Sequence, residues 1–139
     1  MYEKMKGAVP NREKALSAVR QFDYESWSAQ LRQLLGKGAE SMIALEAKEK
    51  KYDLVLHKKR LERILENWDL LLRIMEEELP ESKQLEELLD SMEMPKALEE
   101  IGTPNEMLAV IFAATKDIRD KYVLSRLTWD LGMLDELLH

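Results

Sequence analysis

Between Asp53 and Pro80 the apolar residues Leu61, Ile64, Leu65, Trp68, Leu71, Leu72, Met75 and Leu79 recur at steps of three, one, three, three, one, three and four. That is the period of one face of an α-helix, wide enough to line a core rather than a narrow coiled-coil seam. The reverse face holds Lys59, Arg63, Asn67 and Glu77, and so turns to water. Asp53 at one end and Pro80 at the other predict a single long helix between them. Strands have no comparable support, because sustained apolar/polar alternation and Asn-Gly or Asp-Gly turns are both missing. Five glycines and four prolines in 139 residues leave helices little interrupted.

The rest of the chain reads the same way. Asn11 caps a helix through Arg20, and Asp23 caps a second through Leu35, which Gly36 and Gly38 then stop. A third points Met42, Ile43, Leu45 and Ala47 inward and ends in the charged run Lys48–Lys51. After Pro80 a shorter helix presents Leu85, Leu88, Leu89 and Met92, until Met94-Pro95 breaks it. Thr103-Pro104-Asn105-Glu106 has a capping residue, Pro at the first helical position and Glu three after the cap. The helix it opens, with Met107, Leu108, Val110, Ile111, Phe112 and Ile118, is apolar almost all round and is expected at the centre of a bundle. Short helices around Leu124–Leu131 and Met133–Leu138 close the chain. The fold expected is a single all-α domain over residues 1–139, a multi-helix bundle of unequal helices.

Composition excludes several functions. Apolar residues at 45% supply a core, and charged residues at 35% a well-solvated surface. A net charge of −6 opposes a nucleic-acid partner, which needs a basic face. With no cysteine there is no disulfide, thiolate nucleophile or zinc–thiolate site. The longest apolar run, Met107–Ala114, is less than half the ~20 residues that span a bilayer, and the first residues do not form a signal sequence. The expectation is a cytoplasmic protein with no membrane partner.

Charge is unevenly spread. Residues 48–63 hold seven Lys and Arg against three acids, and residues 76–100 hold ten acids against two lysines. Solvated outer faces account for both; the sharper alternative is that the basic stretch meets a phosphate-bearing ligand or a partner.

Candidate chemistry fails on spacing. His57 and His139 lack the Glu three residues earlier that shared-metal helices use, so a solvated or partly packed imidazole is expected of each. Gly36-Lys37-Gly38 has no strand before it and no Ser or Thr after the lysine, so it is a helix stop and not a phosphate loop. Thr115-Lys116-Asp117, superficially like a guanine-reading loop, is read as a helix losing its apolar pattern. Glu76, Glu77 and Glu78 diverge around a helix, and Glu86, Glu87 and Asp90 share only an exposed face, so no desolvated pair is available for acid–base work. Trp27, Trp68 and Trp129 are expected in the core. No catalytic, cofactor-binding or metal residue is assigned.

The order of certain segments carries a further expectation. Gly36-Lys37-Gly38-Ala39-Glu40-Ser41-Met42-Ile43-Ala44-Leu45-Glu46, then Lys51-Tyr52-Asp53 and Asn67-Trp68-Asp69, resemble bacterial sn-glycerol-1-phosphate dehydrogenases. So do Lys116-Asp117-Ile118-Arg119-Asp120-Lys121-Tyr122, Trp129-Asp130-Leu131-Gly132, Phe22-Asp23-Tyr24 and the stretch from Pro95 through Ile101-Gly102. The similarity spans essentially the whole chain, though none of these segments is a catalytic motif. The resemblance implies membership of the iron-containing alcohol dehydrogenase and dehydroquinate synthase superfamily. There an N-terminal α/β domain binds NAD(P) through a glycine-rich turn, and an all-helical C-terminal domain faces it across a cleft. A divalent metal held by one Asp and two His polarises the substrate hydroxyl for hydride transfer.

This chain departs from that pattern by having no glycine-rich turn and no such His pair. Met1–Gly7 matches the end of the helix that bears the family's last metal His, so no ligand position is present. The expectation is therefore the C-terminal helical domain, inactive alone, whose partner is the missing nucleotide-binding domain and which forms a homo-oligomer through surfaces left bare. The rival is a stand-alone helical interaction module derived from that domain. Met1–Gly7 ordered against the chain's own core, in a monomer, favours the rival.

Overall fold

The computed structural model describes residues 1–118 and 120–138. The described residues form helices α1 (Tyr2–Lys6), α2 (Arg12–Arg20), α3 (Tyr24–Leu35), α4 (Ala39–Glu49), α5 (Leu54–Glu66), α6 (Trp68–Glu78), α7 (Ser82–Ser91), α8 (Leu108–Ala114), α9 (Leu124–Asp130) and α10 (Leu134–Leu138), with no strand among them. The all-α expectation holds. Short 3-10 turns at Gly36–Gly38, Leu98–Ile101 and Asn105–Met107 link some of them.

The predicted caps form. Asn11 accepts from the Lys14 amide at 2.9 Å, Asp23 from Glu25 at 3.0 Å, and Asp53 from Leu56 at 2.8 Å, each satisfying an amide that the first helical turn leaves open. α3 stops at Leu35, ahead of Gly36, as expected. The face of Lys59, Arg63, Asn67 and Glu77 is exposed.

Four local expectations are corrected. The long helix is two, broken at Asn67, whose side-chain amide donates to the Arg63 carbonyl at 2.8 Å while its backbone N–H pairs three residues back with Ile64. An Asn that competes for the backbone in this way closes the turn without any Pro or Gly. Thr103 caps nothing: the turn after Pro104 is a 3-10 turn without a side-chain cap.

The helix that follows, α8, is also not central. Seven residues are too few to cross the bundle, only Ala114 is buried, and Leu108 and Val110 are exposed. In α4 Met42 and Ile43 pack against the second cluster as expected, but the buried residues are Ala39 and Glu46, and Ala47 is exposed.

Two apolar clusters result. The first gathers Met5, Ala15, Leu16, Leu61, Ile64, Met75, Leu127, Leu131, Met133 and Leu137 from α1, α2, α5, α6, α9 and α10 and their junctions. The stripe read from the sequence supplies Leu61, Ile64 and Met75 in full, with Leu65, Trp68, Leu71 and Leu72 packed partly against it. The second joins Trp27, Leu31, Ala39, Tyr52 and Ala114, with Phe22 and Trp129 against it. α9 divides them, sending Leu127 to one side and Trp129 to the other.

α1 closes the first cluster. Met5 is fully buried, Lys4 donates to the Leu137 carbonyl at 2.9 Å, Tyr2 donates to the Pro80 carbonyl, and Glu3 accepts from the Ser82 amide and hydroxyl. Met1–Gly7 is thus ordered against this chain's own core.

Candidate functional site

α9 is short and nearly every residue in it is buried, including Ser125, Arg126, Thr128 and Asp130. Polar side chains in that position must find partners inside the protein, since an unpaired buried polar group costs about 1–3 kcal/mol. They do so in a network centred on two aspartates that fills the space between the two apolar clusters.

Asp117 is 4% exposed and accepts four hydrogen bonds. Tyr52 Oη and Arg126 Nη2 donate to Oδ1, each at 2.7 Å; Trp27 Nε1 at 3.0 Å and Lys116 Nζ at 2.8 Å donate to Oδ2. Burial pushes this carboxyl upward, but Lys116, Arg126 and the hydrogen bonds outweigh it and hold the group below the usual carboxylate range. Burial pulls the Lys116 ammonium below the usual lysine range and lifts the Tyr52 hydroxyl far above its ordinary value.

Asp130 is fully buried. Arg60 grips it with two donors, Nε to Oδ2 at 2.5 Å and Nη2 to Oδ1 at 2.8 Å, and Tyr122 Oη adds 2.8 Å. Its backbone carbonyl accepts from His57 Nε2 at 2.9 Å.

Aromatic rings wall the two ion-pair centres. Phe22 stacks on Tyr52 at 3.7 Å between centroids, Trp129 meets Tyr52 edge-on at 4.7 Å, and the Arg126 guanidinium lies over both Tyr52 and Trp129, at 4.6 and 5.2 Å. Arg126 Nε and Nη1 find no oxygen partner among the described residues, and the ring faces are what they have instead. Glu46, also buried, accepts from the Lys51 and Tyr52 amides, both at 3.1 Å, and so fixes the α4–α5 turn that aims Tyr52 at Asp117.

The geometry corrects two readings. His57 is neither solvated nor partly packed but wholly buried, held by the Asp130 carbonyl and edge-on to Trp129. Lys116-Asp117 is not merely the frayed end of a helix; it is the hub of the interior. His139, like Arg119, lies outside the described residues. Trp27 is in the core as expected, while Trp68 and Trp129 are half-buried. The basic stretch divides: Arg60 turns inward to Asp130, while Lys48, Lys58, Lys59 and Arg63 face solvent.

Chemically, the network stores charge instead of moving it. The oxygens of Asp117 and Asp130 are engaged by donors from the same chain. Among the described residues no group of three His, Cys, Asp or Glu is placed to hold a metal ion. Lys116 also lines an open cleft of about 410 Å³ with Phe22, Trp27, Trp129 and Asp135, but its ammonium is committed to Asp117 and to the Ala113 carbonyl. No helix among the described residues is long and apolar enough to cross a membrane.

His57 gives the interior a pH dependence. Burial lowers its pKa from 6.5, against an opposing pull from the Asp130 hydrogen bond and carboxylate. The unfolded chain therefore binds the His57 proton more readily, and its contribution to stability is present above about pH 6.5 and lost as pH falls through the lower folded value. Glu46 works oppositely, because burial raises its pKa and its contribution fades as pH rises above its unfolded value. Melting temperatures are expected to fall from pH 7 to pH 5, and His57→Gln to flatten or invert that slope. An unchanged slope in the variant would assign the dependence elsewhere.

Compared with known protein families, curated proteins and solved structures, the chain finds no match in any of the three.

Proposed function

We propose that this chain is the C-terminal helical domain of an sn-glycerol-1-phosphate dehydrogenase, inactive by itself. Joined to its α/β domain it would interconvert glycerone phosphate and sn-glycerol 1-phosphate, with this chain forming one wall of the cleft. The observation that carries the reading concerns the segments on which the resemblance rests. Four of them, Phe22–Tyr24, Lys51–Asp53, Lys116–Tyr122 and Trp129–Gly132, come from three regions of the sequence, yet Phe22, Tyr52, Asp117, Trp129 and Asp130 gather in the largely buried interior, with the exposed Tyr122 donating to Asp130 from its edge. Segments shared for a common interior are expected to converge in this way.

The family's metal does not fit the described residues, which offer no cluster of three ligands to hold it. On this reading the nicotinamide and the metal would be held by the α/β domain and the His-Gly helix that closes it, and no chemical step is assigned to this chain.

The second reading, a stand-alone helical interaction module, is favoured by α1. Met5 is fully buried and the Lys4, Tyr2 and Glu3 contacts tie the first residues to the chain's own body. The DNA upstream of Met1 separates the two. A continuous frame encoding an α/β domain with a glycine-rich turn and a closing His-Gly helix supports the dehydrogenase; an isolated gene supports the module.

A further inference from the structure

Two apolar surfaces of this molecule do not meet within the chain. The first is α7. Its Leu85, Leu88, Leu89 and Met92 form a stripe at helical spacing, yet the helix has no buried residue, and Leu88 and Met92 are half exposed. A stripe of that kind ordinarily packs against something. Its flanks are acidic: residues 81–93 contain Glu81, Glu86, Glu87, Asp90 and Glu93 against Lys83. What ties its start to the body is Glu3, through the Ser82 amide and hydroxyl.

The second is an open groove of about 500 Å³ between the α5–α6 face and the start of α9. Ile64, Leu71, Ile74, Met75, Val123 and Leu127 make it strongly apolar, and Ile74 at 46% exposure is bare for an isoleucine. Its basic rim is supplied by the exposed Arg63, with Lys59 a helical turn before it, since the neighbouring Arg60 is committed to Asp130. No α7 residue lines it, so the chain's own acidic helix does not fill it.

We infer that the occupant of this groove is α7 of a second copy of the chain, and that the exchange is reciprocal. The match is in shape class and in charge: an apolar stripe with acidic flanks against an apolar trough with a basic rim, both encoded in one sequence. A two-fold arrangement satisfies both surfaces at once, because each copy gives its helix and receives its partner's. Opposite charge across the rim sets orientation and register while the apolar contact supplies most of the affinity. The inference goes beyond the functional proposal in naming the helix and the groove, and it uses none of the residues on which that proposal rests.

Sedimentation velocity of the full chain at tens of micromolar tests it without any activity assay. The expected species is a dimer that loosens in high salt. Leu88→Glu and, separately, Ile74→Glu should each give a monomer with an unchanged circular dichroism spectrum, since both side chains are already exposed.

A charge exchange adds specificity. Arg63→Glu and Glu86→Lys should each weaken the dimer by about tenfold or more, because each variant reverses a rim pair at both symmetry-related contacts. An equimolar mixture of the two variants should restore it, because the mixed dimer again pairs opposite charges at both rims. A monomer throughout the concentration range overturns the inference, including one that associates only with an α/β domain. So does a dimer that survives Leu88→Glu, or a mixture no tighter than the separate variants.

Discussion

Asp117→Ala is expected to destabilise the fold by about 3–5 kcal/mol, because it strands a buried charge pair rather than removing one bond. Asp117 is the shared acceptor of Lys116 and Arg126, and it also satisfies the Tyr52 hydroxyl and the Trp27 indole N–H. Without the carboxylate, two cations remain in an interior walled by Phe22, Tyr52 and Trp129. For a chain of this length the loss corresponds to a melting temperature lower by roughly 10–20 °C. Asp117→Asn keeps the shape and one acceptor oxygen and should cost less. Thermal unfolding followed by circular dichroism measures both, and a loss below about 1 kcal/mol for the alanine variant would show that the network is not what joins the two clusters.

Gly132→Ala is the second large effect, expected at about 2–4 kcal/mol. Gly132 ends the α9–α10 junction with φ +65°, where a side chain costs about 1 kcal/mol or more. A Cβ there would also stand 3.0 Å from the Lys14 carbonyl oxygen and 3.1 Å from the Ala15 Cα. Both are backbone atoms of α2, and Ala15 is itself fully buried, so the neighbour cannot swing aside as a flexible side chain would. Overpacking of this sort adds about 1–3 kcal/mol.

Gly102 provides the control. Its φ is +77° but nothing lies within 4 Å of a built Cβ, so Gly102→Ala should cost only the conformational part. Chemical denaturation of the pair isolates the contact between α2 and the α9–α10 junction. Equal losses in the two variants would mean that α2 yields at Gly132.

What was legible in the sequence was local. Asn11, Asp23 and Asp53 cap their helices through bonds that span two or three residues, and the stop before Gly36 is equally short-range. The apolar stripe found its core because period and burial are coupled along one helix. The Asn67 break was missed because it rests on a side chain choosing a backbone carbonyl over water, a choice the apolar pattern does not register.

The network was missed for a different reason. Asp117 draws partners from positions 27, 52 and 126 besides its neighbour Lys116, and Asp130 from 57, 60 and 122, so most of each cluster lies too far off in sequence for a local pattern to register. A usable hint lay in α9. Leu124–Asp130 is flanked by apolar residues on every side, so a helix there can be buried only if Arg126 and Asp130 are buried with it. α8 misled in the opposite sense, since an apolar composition predicts burial only for a helix long enough to reach the core.

The most direct measurement joins this chain to the part of an sn-glycerol-1-phosphate dehydrogenase that ends with its metal-binding His-Gly helix, everything after that helix having been removed. NADH-dependent reduction of glycerone phosphate is then followed at saturating metal. The account predicts turnover by the fused protein and none by either part alone. A fused protein that folds and binds NADH, yet turns over no faster than the truncated dehydrogenase by itself, would contradict it.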